Sequence, residues 1–276
     1  MSEVKTADIA KLRKLTGAGM MDCKNALEES NGDIDKAVEL IRERGKAIAN
    51  KRADREAGEG AALAKTNGDA TMGAMIVLNC ETDFVAKNEN FIGLATKVLN
   101  LAIENQPADL DALKALTLEG RKVIDWVTDQ SGITGEKFEL SYYEMIKAGK
   151  VVCYIHQGNK IATMVGFNKG GFDDQVGRDV AMQVAAMNPV SVDVTDVSEK
   201  VRKQEFEIGR EQARLEGKPE AMLDKIAEGK LQKFFKEATL LNQDFIKDGK
   251  MTVKQYLNQV DKDLKVTAFK RVSLSL

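Results

Sequence analysis

The sequence predicts an α+β fold in three parts: an N-terminal three-helix bundle, a duplicated α+β core with two small antiparallel sheets, and a protruding antiparallel helical hairpin. Three observations predict it. From Thr6 to Gly45, apolar residues recur at helical spacing between tight connections. Two strand-like pairs, around Asn67-Gly68 and Gly158-Asn159, each run into a polar loop and then a helix. Val201, Ile208 and Leu215 recur every seven residues until Gly217 and Pro219 break the run; Leu223, Ile226 and Ala227 then begin a returning helix.

The first helix is expected in TADIAKLRKL, with Thr6 as N-cap, Ile9, Leu12 and Leu15 at helical spacing, and Gly17 as its stop. MMDCKNALEES is the second and ends at Asn31-Gly32. DIDKAVELIRERG is the third, with Ile34, Ala37, Val38 and Ile41 on one face and Gly45 as its stop. Three short helices enclose little core, so this bundle is expected to lean on a neighbour or a partner. Arg42 to Arg55 holds six cations against two acids and reads as a solvated, partly helical linker.

In the core, GAALAKTNGDATMGAMIVLN and KVVCYIHQGNKIATMVGFN are the two hairpins, and FIGLATKVLNLAIENQP and QVGRDVAMQVAAMNP are the helices that follow them. Aligned on Pro107 and Pro189, Val98 falls opposite Val180 and Ala95 opposite Gly177. Asn79 and Asn168 close the second strands at comparable points. The stretch from Leu110 to Leu140 reads as helices with Trp126 in the core. Beyond the helical hairpin, LLNQDFIKDGKMTVKQYLNQV is a loop and a helix, and KVTAFKRVSL is a last strand able to join the second hairpin's sheet. The expected domains are 1–56 (bundle and basic linker), 57–145 (first core subdomain), 146–196 with 236–276 (second core subdomain) and 197–235 (helical hairpin).

Composition bounds the function. With 276 residues, 43% of them apolar, the chain can enclose more than one core. Lys and Arg total 41 against 43 Asp and Glu, a net charge of −2. That balance gives no electrostatic case for direct nucleic-acid binding, which needs clustered cations. No apolar run approaches the roughly 20 residues of a membrane span. MSEVKTADIA has no basic segment followed by an apolar one, so no secretory signal is expected. Cys23, Cys80 and Cys153 are odd in number and far apart, which suits reduced, buried thiols in a cytoplasmic protein.

Catalytic signatures are missing. TGAGMMD begins like a dinucleotide fingerprint but has Asp22 at its third glycine position and joins two helices. Gly-Lys pairs never precede serine or threonine, so there is no phosphate-cradling loop of that kind. His156 is the single histidine, which excludes a multi-histidine zinc site, and in a strand it reads first as structural. Glu81, Asp83 and Glu89 are candidate carboxylate ligands, although Asp83 also suits a helix cap. No metal site and no cofactor is expected. Phe84 is harder to place. An aromatic beside an acid in a polar loop either folds back onto the core or inserts into a partner's pocket.

Two longer stretches carry a resemblance. LRKLTGAGMMDCKNAL, from Leu12 to Leu27, and NCETDFVAKN, from Asn79 to Asn88, resemble the signatures of the bacterial elongation factor Ts family. GKVVCYIH and MTVKQYL are similar to that family too, and the match runs over nearly the whole chain in order. Two positions depart from it: Val77 where a glutamate is common, expected to affect strand packing, and Asp244 where proline is frequent. The resemblance implies a guanine nucleotide exchange factor for the GTPase elongation factor Tu, with no bond-making chemistry of its own. It implies that Thr82, Asp83, Phe84 and Val85 dislodge the partner's Mg²⁺ and promote GDP release, Phe84 as the wedge. It implies further partner contacts at Arg13, Met20, Met21, His156, Thr134 and Gly135. The bundle is similar to ubiquitin-associated domains, so a protein-binding adaptor is the alternative. An enzyme built on Glu81, Asp83 and His156 is a more distant one. A homodimer is left open.

Overall fold

A computed structural model describes residues 4–274 of the chain. The outer limits of the first and third expected segments, and the first three residues of MSEVKTADIA, fall outside them. In order, the elements are α1 (Thr6–Thr16), α2 (Met20–Glu29), α3 (Ile34–Lys51), β1 (Glu59–Thr66), β2 (Met72–Cys80), α4 (Asp83–Ala86), α5 (Glu89–Asn105), α6 (Leu110–Ala115), β3 (Thr117–Leu118), β4 (Arg121–Lys122), α7 (Val123–Thr134) and β5 (Glu139–Lys147). The second half holds β6 (Lys150–Ile155), β7 (Ile161–Phe167), α8 (Asp174–Met187), α9 (Glu199–Leu215), α10 (Glu220–Ala238), β8 (Asp244–Phe245), β9 (Asp248–Thr252), α11 (Val253–Val260) and β10 (Val266–Ser273). The fold is α+β, as the sequence predicts.

Two three-stranded antiparallel sheets, ordered β1-β2-β5 and β10-β7-β6, pack face to face. Between them Ala62, Ala64, Met75, Val77 and Ile146 meet Val151, Ala162 and Met164. Helices α5 and α7 cover the outer face of the first sheet through Phe91, Leu94, Val98 and Val127. Helices α8 and α11 cover the second through Val176, Val180, Val184, Val253 and Leu257. The core is therefore four layers deep. Strand β2 has both faces covered, and all nine of its residues are buried, which is why MGAMIVLNC reads as a near-continuous apolar run. Val77 points into the layer between the sheets, where an apolar side chain fits.

The duplication extends further than the sequence showed. Helices α5 and α8 both end on a left-handed residue, Gln106 (φ 49°) and Asn188 (φ 44°), directly before Pro107 and Pro189. Val98 and Val180 are both fully buried. The third strand of each sheet carries a bulge at the same point. Ser141 is the extra residue opposite Val77 and Leu78, and Thr267 the extra residue opposite Gly166 and Phe167, in each case just before the closing asparagine.

Several expectations are corrected. Thr6 is the first residue of α1; Lys5 holds the N-cap position without a side-chain cap. Helix α3 does not stop at Gly45 but continues to Lys51, absorbing most of the expected linker. Gly45 stays helical because α7 crosses it backbone to backbone: a Cβ on Gly132 would lie 2.3 Å from Gly45 Cα. The bundle leans on the core at that crossing. The turn at Asn67-Gly68 spans Asn67 to Thr71, and its left-handed residue is Ala70 (φ 57°), not Gly68. Strand β5 lies across the expected 145/146 division and starts inside the stretch read as helices. Its bulge puts Leu140 and Tyr143 on the same face at three-residue spacing, and Ile146, buried on the opposite face between the sheets, falls three further on, so the buried positions imitate a helix. That stretch also contains the small β3–β4 hairpin. Trp126 is only half-buried; its Nε1–H donates to Leu118 O at 2.8 Å, and Arg121 lies over the ring.

The helical hairpin forms, but not on the expected seam. Ile208 and Leu215 are exposed, Leu215 at 80%. Gly209 and Ala213 face Leu223 and Ala227 instead, and a Cβ on Gly209 would meet Ala227 Cα at 3.4 Å. Small residues let the two backbones approach closely. At the second departure from the family, Asp244 pairs with Lys236 at 3.6 Å. Buried Gln183 fixes its loop, donating to Asp244 O and accepting from Ile246 N.

Candidate functional site

The segment after β2 is held from several sides before it reaches Phe84. Asn79 is buried; its amide donates to Ala57 O at 3.0 Å, and its Oδ1 accepts from Ser141 Oγ at 2.5 Å. The bulge thus supplies the hydroxyl that closes the strand. Cys80 points into the core, and its Sγ donates to Thr82 O at 3.2 Å. Burial, aided by the charge of Glu136, pushes its thiol up to about 12.

Two carboxylates grip the next residues. Glu136 Oε2 accepts from the Glu81 and Thr82 amides at 3.2 and 3.1 Å, and its Oε1 accepts from Thr82 Oγ1 at 2.6 Å. Glu81 accepts from Arg52 Nη1 at 2.8 and 2.9 Å and from the Lys137 amide at 2.6 Å, with Arg55 at 3.5 Å. Burial alone would raise the pKa of Glu81, but the Lys137 N–H and the Arg52 guanidinium outweigh it and hold the carboxyl below its ordinary value.

Thr82 caps α4, accepting from the Val85 amide at 3.5 Å, so Asp83 is the first helical residue and not the cap. The Asp83 carboxylate is held below the usual range mainly by the hydrogen bond from Lys87, at 2.6 Å. Val85 packs on the first core and Ala86 is buried. Phe84 does neither: it is 84% exposed. Of the two readings open for it, folding back onto the core is excluded. The second repeat supplies the contrast. There the loop aromatic, Phe172, lies against Phe167, the rings tilted with centroids 4.9 Å apart, and packs against the second core. An outward phenylalanine is therefore a property of the first loop and not of the repeat.

Other residues singled out in the sequence gather near this loop. Gly135 ends α7 in the left-handed conformation (φ 72°) and turns the chain so that Glu136 meets Thr82; Thr134 Oγ1 accepts from the Glu136 amide at 3.2 Å. His156 opens the β6–β7 turn, exposed, with Tyr154 Oη 2.8 Å from its Nδ1. That turn is tied to β1, since Asn159 O accepts from the Ala62 amide at 2.7 Å and Lys160 pairs with Glu59 at 3.0 Å. The charge of Lys160 also favours the Asp83 carboxylate. Arg13, Met20 and Met21 are exposed on the bundle, the methionines at 63% and 65%. The bundle meets α7 beside Thr134, with Gly17 against Ile133.

Glu81 and Asp83 are each engaged by a cation, and Glu89 lies exposed in the first turn of α5. Among the described residues no group of three His, Cys, Asp or Glu side chains could hold a metal, and no helix is long and apolar enough to cross a membrane. Sequence reasoning missed Glu136, Arg52 and Lys160. Their roles depend on contacts across many positions, for which no local spacing is a signal.

Residues 81–275 match the family model described as Elongation factor TS, which sets the chain among the translation elongation factors. The curated Elongation factor Ts of Porphyromonas gingivalis is 53% identical over 274 residues, 99% of this chain and 98% of that protein. The Elongation factor Ts proteins of Amoebophilus asiaticus and Azobacteroides pseudotrichonymphae are 52% and 48% identical, each over at least 98% of both chains. The chain belongs to the elongation factor Ts family.

Proposed function

We propose that the chain is a guanine nucleotide exchange factor that acts on elongation factor Tu. The exposed, braced Phe84 enters the GTPase near its Mg²⁺, displaces the ion and so promotes GDP release, after which GTP can bind. Thr82, Asp83 and Val85 fix the wedge. Arg13, Met20 and Met21 on the bundle, with Thr134, Gly135 and His156 beside the loop, form the rest of the contact; methionine suits a surface that must adapt. No bond is made or broken. The chain accelerates release by binding the nucleotide-free GTPase better than its GDP form, and by linkage GDP weakens the chain's own binding by the same factor.

The observation that carries this reading is the outward Phe84 on a loop whose every other residue is satisfied, against an inward Phe172 in the companion loop. The test is release of labelled GDP from elongation factor Tu by catalytic amounts of the protein, with and without excess Mg²⁺, for wild type and Phe84→Ala. Acceleration that is lost in the variant and opposed by Mg²⁺ supports the wedge. Binding without acceleration would make the chain an adaptor instead.

A further inference from the structure

We infer that Glu136 is the positioning residue of the exchange loop, the group that fixes where Phe84 points; this rests on the proposed exchange function. Three donors from the loop converge on its one carboxylate: the amides of Glu81 and Thr82 and the Thr82 hydroxyl, at 3.2, 3.1 and 2.6 Å. These are the last contacts to an outside element before Phe84. Beyond them, the hydrogen bond on Asp83 comes from within the turn, from Lys87. A carboxylate suits the place chemically. It has acceptor capacity for all three donors and carries no donor of its own, and charge-assisted hydrogen bonds are the strong ones. Glutamine can still offer its oxygen to the two amides and donate to the Thr82 hydroxyl, losing only the charge that strengthens the bonds, whereas alanine removes all three.

Glu136 reaches the loop because Gly135 turns the chain in the left-handed region at the end of α7. Its neighbour Lys137 closes a second tie. The Lys137 amide donates to Glu81, and its Nζ donates to Ala53 O and Arg55 O, just beyond α3. The loop is thus braced to α7 and, through Glu81 and Arg52, to the end of the N-terminal bundle. Positioning on this scale matters because a group that must meet a partner in register loses much of its effect when displaced by about 1 Å, as misplaced groups in preorganised sites do.

The experiment is a double-mutant cycle on GDP release from elongation factor Tu at saturating factor, with melts and amide hydrogen exchange on each free variant. Glu136→Ala is expected to slow release roughly tenfold in the wild-type background and to change nothing further when added to Phe84→Ala, since it acts through that side chain, while Glu136→Gln recovers much of the rate. The amides of Glu81 and Thr82 should lose protection in Glu136→Ala. If Glu136→Ala slows release as much with Phe84→Ala as without it, or leaves those amides protected, Glu136 does not position the loop and the reading of Phe84 stands. If Phe84→Ala alone releases GDP like wild type, the wedge itself fails, and the positioning role falls with it.

Discussion

Phe84 separates two kinds of cost. A core phenylalanine truncated to alanine loses about 3–5 kcal/mol of folding stability. An anchor that fills a partner's pocket loses about 2 kcal/mol or more of binding, roughly thirtyfold in affinity. With 84% of Phe84 exposed, Phe84→Ala is expected to leave the melting midpoint nearly unmoved while binding and exchange fall. An early melt with normal exchange would refute it. The thiols give an independent check on the surrounding core. Burial pushes Cys80 and Cys153 up to about 12 and raises Cys23 as well, so at pH 8 none is a thiolate in the folded protein. A thiol reagent is expected to modify all three only as denaturant unfolds the chain; fast labelling of Cys80 in the native protein would mean the loop above it opens. At Glu81 the sign is set by the depressed pKa. Its tie to Lys137 is complete above the ordinary glutamate value of 4.5 and is lost as pH falls through the lower folded value. The Lys137 amide shift should therefore stay constant from neutrality to about pH 4.5 and move below it, and a transition near pH 6 would contradict that.

Among the elements, glycine carries the clearest consequences because its meaning depends on what lies across from it. Gly132→Ala places a methyl 2.3 Å from Gly45 Cα and must push α3 away from α7. A cost of about 1–3 kcal/mol is expected, with faster tryptic cutting at Arg52 or Arg55 as the bundle loosens. Gly229→Ala, on an open face of α10 with nothing within 4 Å, should instead raise stability by roughly 0.5–1 kcal/mol, because alanine loses less backbone freedom in a helix. Equal shifts in the two melts would refute the close crossing. The same contrast explains what the sequence could show. Gly17, left-handed at the end of α1, was legible from the apolar period that it ends. Gly45 looked alike, but what keeps it helical is α7, more than seventy positions later in the chain by the plain count of residues. Strand β5 was hidden because one bulged residue converts a two-residue alternation into a three-residue one. The heptad in α9 misled because only its first residue, Val201, packs on α10, while Ile208 and Leu215 face outward and small residues make the contact there. The loop signature was legible as a stretch of sequence, whereas the brace of Glu136 and Glu81 was not, since its partners come from three separate elements.

For the whole molecule, the bundle is a separate core joined to the rest by the α3–α7 crossing, the contact of Gly17 with Ile133, and the ties of Glu81 and Lys137 to the end of α3. Deleting residues 1–55 would remove Arg13, Met20 and Met21 together with Arg52 and Arg55, leaving the half-buried Glu81 without its cations. The shortened chain is expected to exchange nucleotide more slowly than a full chain carrying Arg13→Ala, Met20→Ala and Met21→Ala, because it loses loop bracing as well as contact. Equal rates would assign the bundle a contact role alone. The four-layer core has a mechanical corollary. Close-packed interiors have low compressibility. Strand β2 is the central strand of its sheet, sealed on both faces, and only Glu81 and the capping Thr82 and Asp83 separate its last residue from Phe84. A load applied at the Phe84 ring therefore passes at once into a close-packed central strand, with almost no length of free backbone to absorb it. On the proposed exchange function, the strain of docking would then be stored on the partner's side of the contact.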